Sequence, residues 1–397
     1  MAGQTALRTF AGSLTALVAI LLLPILLTTW FERSAKLGGE SDSKMGWIAN
    51  RRLIHIILLG TVAAWWALWD FQAQSALLPT LELHLRGVSP TLVNLFSFWL
   101  PPIGAIATAN LICYRQDRTI LGRRWTTGDI LRLTCWRTVS PFASLLFVVA
   151  GFDAIYDRKL IGILWFLAAA FSAFLGSTLL RLAEGMKLRR VKSGELYKRA
   201  FVLARNMATR LEHVYVVPAG RGHLTNAYGL SQSIAVTDNY GRFLNGPQLD
   251  FVIGHELAHL KERHGRSKLM IVGAVYAGVA LVCFNLPQML LRFRPLLDVF
   301  VLLVPILISY YFSRRFEYAA DAASVEYTHD PEAAIRALAN LHRLTQVPTD
   351  CDRLSELFLT HPAFTRRARA IGERSRMPAE RLSELIDQAR LRAADSV

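Results

Sequence analysis

Residues 246–268 read GPQLDFVIGHELAHLKERHGRSK, and residues 269–291 read LMIVGAVYAGVALVCFNLPQMLL. The first stretch is crowded with charge and imidazole in its second half, and the second carries no charge at all. A helix needs about 20 apolar residues to cross a bilayer. A polar, histidine-bearing segment therefore abuts a run of membrane length, and that junction decides the fold class: a helical membrane protein with a polar domain attached. The composition of the 397 residues agrees, with 53% hydrophobic and 19% charged residues, against about 25% charged in ordinary globular chains. Disorder, collagen and disulfide scaffolds are excluded. The net charge of +15 reads as loops facing an anionic membrane surface. Nucleic acid is not indicated, because the basic residues are spread over loop ends rather than interleaved with aromatics on one face. Cys113, Cys135, Cys283 and Cys351 show neither metal-ligand nor disulfide spacing and read as reduced thiols.

Further apolar runs lie at Phe10–Phe31, Leu53–Trp69, Thr91–Cys113, Val139–Ile155 and Leu160–Leu180 before the junction, and at Leu296–Phe312 after it. The expected count is about seven spans. Thr91–Cys113 is expected to be broken by Pro101 and Pro102, and Pro305 lies inside the last run. Phe10–Phe31 reads as a span rather than a cleaved signal, because no A-x-A site follows and its positive charges come after it. Basic residues crowd alternate loops: Arg33 to Arg52, Arg115 to Arg137, and Arg181 to Lys192. By the positive-inside rule the N-terminus is outside, and the polar domain and the C-terminal tail are cytoplasmic. The expected organisation is a membrane domain over 1–182, a first polar part over 183–268, a two-span hairpin over 269–313 and a second polar part over 314–397.

His255-Glu256-Leu257-Ala258-His259 is an H-E-x-x-H sequence. Pro247 stands where a helix starts. On that helix His255 and His259 share a face and can hold one Zn²⁺, while Glu256 reaches a neighbouring water as general base. A third ligand is needed. The longer pattern with glycine at 262 and histidine at 265 fails, since Glu262 and Gly265 stand there. His264 reads as a solvated residue or one behind the ligands. After the hairpin comes Arg314-Arg315-Phe316-Glu317-Tyr318-Ala319-Ala320-Asp321, with Glu317 and Asp321 at i, i+4. One of these carboxylates can ligate zinc and the other can accept the free N–H of a ligand histidine. Two spans return the chain to the side it left, so both segments are expected within about 15 Å of one membrane face at 1.5 Å per helical residue.

Two more pieces complete a pattern: Asn226-Ala227-Tyr228, between strand-like His213–Val217 and Ser233–Thr237, and Thr360-His361-Pro362 followed by Arg367. Over about residues 195–372 the four motifs, in this order, resemble the gluzincin membrane peptidases of metallopeptidase family forty-eight, which contains HtpX-like proteases and CAAX prenyl endopeptidases. The resemblance implies that His255, His259 and Glu317 are zinc ligands, Glu256 is the catalytic base and Asp321 supports a ligand. It implies that Asn226, Ala227 and Tyr228 form an edge strand lining the substrate cleft, with His361 and Arg367 at cleft or transition-state positions. Ala363 and Ala368 depart from the family pattern, and Leu260 stands where CAAX enzymes carry tryptophan. Asp330-Pro331 opens a helix as in the HtpX branch. The expectation is thus a mainly α, polytopic membrane protein with a zincin-like α+β peptidase domain carrying a small sheet. It implies one Zn²⁺ per chain, protein or peptide substrates and a lipid bilayer around the spans. The rivals are a prenyl-peptide processing enzyme, a non-catalytic scaffold of the same fold and, with only Asp153 near a span end to suggest a polar pathway, a transporter.

Overall fold

Apolar length decides most of the helices. The computed structural model describes residues 2–37, 54, 58, 60–61, 64–65, 90–120, 122–157, 159–183, 188–218, 227–230, 232–287, 294–345, 350, 356–357 and 359–395. Four long helices come first: α1 (Ala2–Leu37), α2 (Pro90–Ile120), α3 (Thr127–Tyr156) and α4 (Gly162–Ala183). Their apolar side chains are widely exposed, with Leu26, Leu164, Leu167 and Phe171 each more than 60% accessible, as expected where lipid rather than protein covers them. Helix α2 runs unbroken through Pro101 and Pro102. The expected break there does not occur. In an apolar surrounding, opening the chain would expose more unsatisfied backbone than the two missing N–H groups do. Helices α3 and α4 meet where Gly151 leaves no room for a side chain, since a Cβ there would lie 2.6 Å from the Phe166 ring. Phe152 then packs edge-on to Phe166 at 4.9 Å.

The chain divides into two compact units. One includes Ala49–Ala183 and Val279–Leu302, and the other includes Glu184–Gly278 and Leu303–Val397. The second unit holds strands β1 (Arg189–Val191), β2 (His213–Val217), β3 (Ala227–Leu230) and β4 (Ser233–Thr237) in the order β1-β2-β4-β3. β2 pairs parallel to β4, with Val214 opposite Ile234, and both edge pairings are antiparallel. Every residue of β4 is buried. Among the described residues β1 and β3 are the two edges of the sheet.

Helix α5 (Glu195–Asn206) leads into the sheet, and a short turn, α6 (Tyr240–Phe243), leads out of it into α7 (Gly246–Lys261). Then follow α8 (His264–Asn285), α9 (Arg294–Thr328), α10 (Pro331–Thr345), α11 (Phe364–Arg374) and α12 (Ala379–Asp395). Their apolar faces close one core with the sheet, in which Phe251, Ile253, Leu257, Ile234, Ile335, Leu338 and Phe364 are almost fully buried. Each such side chain contributes roughly 1.5–3 kcal/mol on burial. Among the described residues, two helices, Thr127–Phe152 and His264–Asn285, are long and apolar enough to cross a membrane. Six of the seven expected runs overlap α1, α2, α3, α4, α8 and α9, with Leu160–Leu180 starting two residues before α4 and Leu269–Leu291 running past the end of α8 at Asn285. Leu53–Trp69 lies largely outside the described residues. By this measure the described residues hold two candidate spans, where about seven are expected over the whole chain.

Candidate active site

Helix α7 begins with a reciprocal cap. Asn245 Oδ1 accepts the Gln248 N–H at 3.1 Å, and Gln248 Oε1 accepts the Asn245 N–H at 3.3 Å. With Pro247 in its first turn the start is fixed, and this sets the rotation of the helix two turns later. Phe251, Val252, Ile253 and Leu257 bind α7 to the core. His255 and His259, four apart, then face α9, with His255 buried and His259 half-buried. Gly254 permits that approach. A Cβ there would lie 2.6 Å from Ser324 Oγ, and this hydroxyl instead donates to the Phe251 carbonyl at 2.7 Å.

Helix α9 supplies the carboxylates on the matching face. The Nε2 atoms of His255 and His259 lie 3.1 Å apart. Glu317 Oε2 is 3.5 Å from His255 Nε2, and its Oε1 is 3.5 Å from His259 Nε2. One donor atom from each of the three residues falls within 4.8 Å of the others. His255 Nδ1 lies 3.0 Å from Asp321 Oδ1, so Nε2 is the ring nitrogen that faces the shared point. Glu317 Oε2 has Arg367 Nη1 at 3.5 Å and His361 Nδ1 at 2.9 Å, but neither meets it in hydrogen-bonding geometry. A buried carboxylate oxygen without a hydrogen bond, beside two converging imidazole nitrogens, is satisfied by a cation. Two histidines and one glutamate are also a donor set that zinc takes in hydrolytic sites. The residues therefore fit the metal that the motif implies.

Electrostatics point the same way. Burial works against a charged His255 ring, but Asp321 and Glu317 outweigh it and raise the group to about 10. Burial would raise Glu317, yet His361, His255 and His259 hold it well below the usual carboxylate range. Asp321 is likewise lowered, against its own burial, by Arg367 and His255. The pocket thus favours positive charge at its centre. Glu256 is pushed up by burial. It lines a cavity of about 1040 Å³ together with His259, His264, Phe316, Glu317, Thr360 and His361. Edge strand β3 passes over it, for a Cβ on Gly229 would stand 3.7 Å from Glu256 Oε2.

Ala227 and Tyr228 lie on that edge strand, and Asn226 is outside the described residues. His361, 67% exposed in its side chain, reaches the cavity. Arg367 does not line it. Expected at a cleft or transition-state position, it is buried, with Nε and Nη2 closing on Asp321 at 2.7 and 2.6 Å. This bidentate pair anchors the carboxylate that orients His255. Sequence reasoning missed Ser324, although Glu317, Ala320, Asp321 and Ser324 recur at helical spacing and mark one face. It also missed the supports of the His361 turn. Arg314 Nη1 donates to the carbonyls of Glu356, Leu357 and Leu359 at 3.0, 3.2 and 2.8 Å. Glu356 accepts the Ala363 N–H at 3.1 Å and pairs with Arg366. Glycine, proline and charge patterns do not encode such a clamp.

Comparison with known proteins adds to this geometry. The model of peptidase family M48 matches residues 191–375. A protease HtpX homolog of Syntrophobacter fumaroxidans is 26% identical over 234 residues, covering 50% of this chain and 82% of the relative. Another, from Pseudarthrobacter chlorophenolicus, is 27% identical over 221 residues, 47% of this chain and 75% of its own. The crystal structure of S. mikatae Ste24p matches 92% of this chain and 98% of that one, with a TM-score of 0.50 at 15% identity, a likeness of fold. The matched segment contains both histidines, the glutamate between them, Glu317, Asp321, His361 and Arg367, and over it this chain is similar to peptidase family M48.

Proposed function

We propose that the protein is a membrane-embedded zinc-dependent metalloendopeptidase that hydrolyses peptide bonds of protein substrates. One observation carries the reading: the His255, His259 and Glu317 donor atoms converge within 4.8 Å, and His259 and Glu317 line the cavity that Glu256 also lines. His255, His259 and Glu317 would hold one Zn²⁺, which supplies Lewis acidity toward the scissile carbonyl and an attacking water. Glu256 takes the proton of that water and returns it to the leaving amine, and no covalent acyl-enzyme forms. Its burial favours this role, because a raised carboxyl is a stronger base. Asp321 fixes the His255 ring, and Arg367 fixes Asp321. His361, on the cavity wall, donates to the developing charge on the carbonyl oxygen. An extended peptide lies along the free edge of β3, where backbone pairing is sequence-tolerant. Long helices over six of the seven apolar runs support a polytopic membrane domain over 1–182 and a two-span hairpin over 269–313 between the two parts of the peptidase domain, 183–268 and 314–397. The loop charges support a cytoplasmic catalytic side.

The test is Glu256→Gln in the purified full-length chain. The amide is nearly isosteric and cannot take a proton from water at neutral pH. Zinc content and folding are expected to remain, while cleavage of an unfolded protein substrate stops. Wild-type turnover by this variant would refute the assignment of the base.

A further inference from the structure

The second ligand histidine has a neighbour that the mechanism leaves unused. Arg263 adopts a left-handed φ of 51° between α7 and α8 and turns the chain back at His264. His264 is buried, and its ring stacks on Phe316 of α9 with centroids 4.5 Å apart and planes at 14°. Its Nδ1 lies 2.9 Å from His259 Nδ1. A hydrogen bond between two imidazole nitrogens needs one N–H and one bare nitrogen. His259 points Nε2 at the place it shares with His255 Nε2 and Glu317. A nitrogen that ligates metal is bare, so the ring proton of His259 resides on Nδ1.

We propose that His264 is a positioning residue for the metal centre, whose bare Nδ1 accepts the N–H of His259 and so fixes the tautomer and rotation of that ring. Asp321 does the same for His255 at 3.0 Å. The two ligand histidines are therefore held by unlike partners, a carboxylate for one and a neutral imidazole for the other. His264 carries its own proton on Nε2. It is not a ligand itself, since its Nδ1 is engaged by His259 and the converging triad is made by His255, His259 and Glu317. The inference rests on the zinc reading above.

The experiment is zinc affinity, measured by chelator competition on the detergent-solubilised full-length chain. The variants are His264→Phe, His264→Asn, His264→Gln and, as a control, His255→Ala. Phenylalanine keeps the stack on Phe316 and removes the acceptor. Asparagine and glutamine give up the stack and offer a carbonyl oxygen. Loss of a partner behind a ligand weakens metal binding about 10- to 100-fold, and that is the result expected for His264→Phe, with at least one amide variant restored toward the wild type. A residue that only packs would give the reverse order. The proposal is overturned if His264→Phe binds zinc like the wild type, if neither amide variant exceeds it, or if it binds no zinc at all. His255→Ala separates the two readings. Undiminished zinc binding in that control would sink the metal site itself, whereas loss of zinc there beside normal binding by His264→Phe would sink only the role of His264.

Discussion

Substituting Gly254 by alanine probes the contact on which the site depends. Its added methyl would stand 2.6 Å from Ser324 Oγ, where ordinary contact begins at 3.4 Å, so the hydroxyl or the helix must retreat by about 0.8 Å. Ser324 is fully buried and its hydroxyl is committed to the Phe251 carbonyl at 2.7 Å. Moving it costs a hydrogen bond worth about 1 kcal/mol net, and overpacking costs about 1–3 kcal/mol. Against this, alanine gains about 1 kcal/mol over glycine within a helix. The net expectation is a loss of about 1–3 kcal/mol, at about 2–4 °C of melting temperature per kcal/mol for a unit of this size. Because the strain lies beside His255, it also parts α7 from α9. Zinc affinity is expected to fall more than stability does, since displacements near 1 Å can cost about 100-fold in a site. A double-mutant cycle decides the matter. Ser324→Ala removes the obstructing oxygen, so Gly254→Ala combined with Ser324→Ala should be better than the sum of the single variants, by about 1 kcal/mol or more. The reasoning is refuted if the two substitutions are additive in both melting temperature and zinc affinity.

Glu317→Ala is expected to lose zinc altogether, whereas Asp321→Ala weakens it by about 10- to 100-fold; equal zinc affinity in the two variants would contradict the division of roles. In a chain without native cysteines, Ser267→Cys and Arg315→Cys should react with an impermeant thiol reagent from one side of the membrane, and Arg292→Cys from the other. Labelling of the first two from opposite sides would break the paired-span arrangement. The clamp between α10 and α12 gives a pH test. Arg381 holds Glu332 through two hydrogen bonds, at 2.7 and 2.6 Å, and lowers its carboxyl. A lowered carboxylate stabilises above its unfolded value and loses that contribution as pH falls through the folded one. Arg381→Ala should therefore lower the melting temperature slightly at neutral pH, less in high salt because the pair is exposed, and not at all well below the carboxylate range. A deficit that persists in acid would assign the effect to packing of the arginine stem.

The helices were readable because their cause is local. A charge-free run of membrane length has few alternatives, and α8 lies where residues 269–291 placed it, with its start five residues earlier. Pro101 and Pro102 misled because their effect depends on surroundings. A pair of prolines that ends a helix in water is carried by α2 in an apolar setting. The convergence of His255, His259 and Glu317 was readable in part: spacing paired the histidines and the two carboxylates, and the family resemblance chose Glu317 over Asp321. His255 and His259 share a face by helical periodicity, and Glu317 with Asp321 repeats it. Arg367 was misplaced because nothing within its own helix marks its partner, which lies 46 residues earlier. His264 was seen but not resolved. Its neighbours in sequence say that it is near His259, and only the left-handed turn at Arg263 and the stack on Phe316 turn its ring inward. Asn245, which closes the cap with Gln248, carried a readable signal in its spacing that Pro247 alone obscured.

The sequence distance between the halves of the site has a consequence during synthesis. Asp321 follows His255 by 66 residues, and Arg367 follows Asp321 by another 46. A nascent chain that has exposed α7 carries the base and two imidazoles but no carboxylate to complete the triad, and nothing yet to anchor Asp321. Every ribosome-bound fragment ending before Glu317 would lack the third member of the converging triad and, on the proposed reading, would be inert. On the proposed reading hydrolysis would begin only when α9 and α11 have been made and folded back, so translation itself would act as the safety catch.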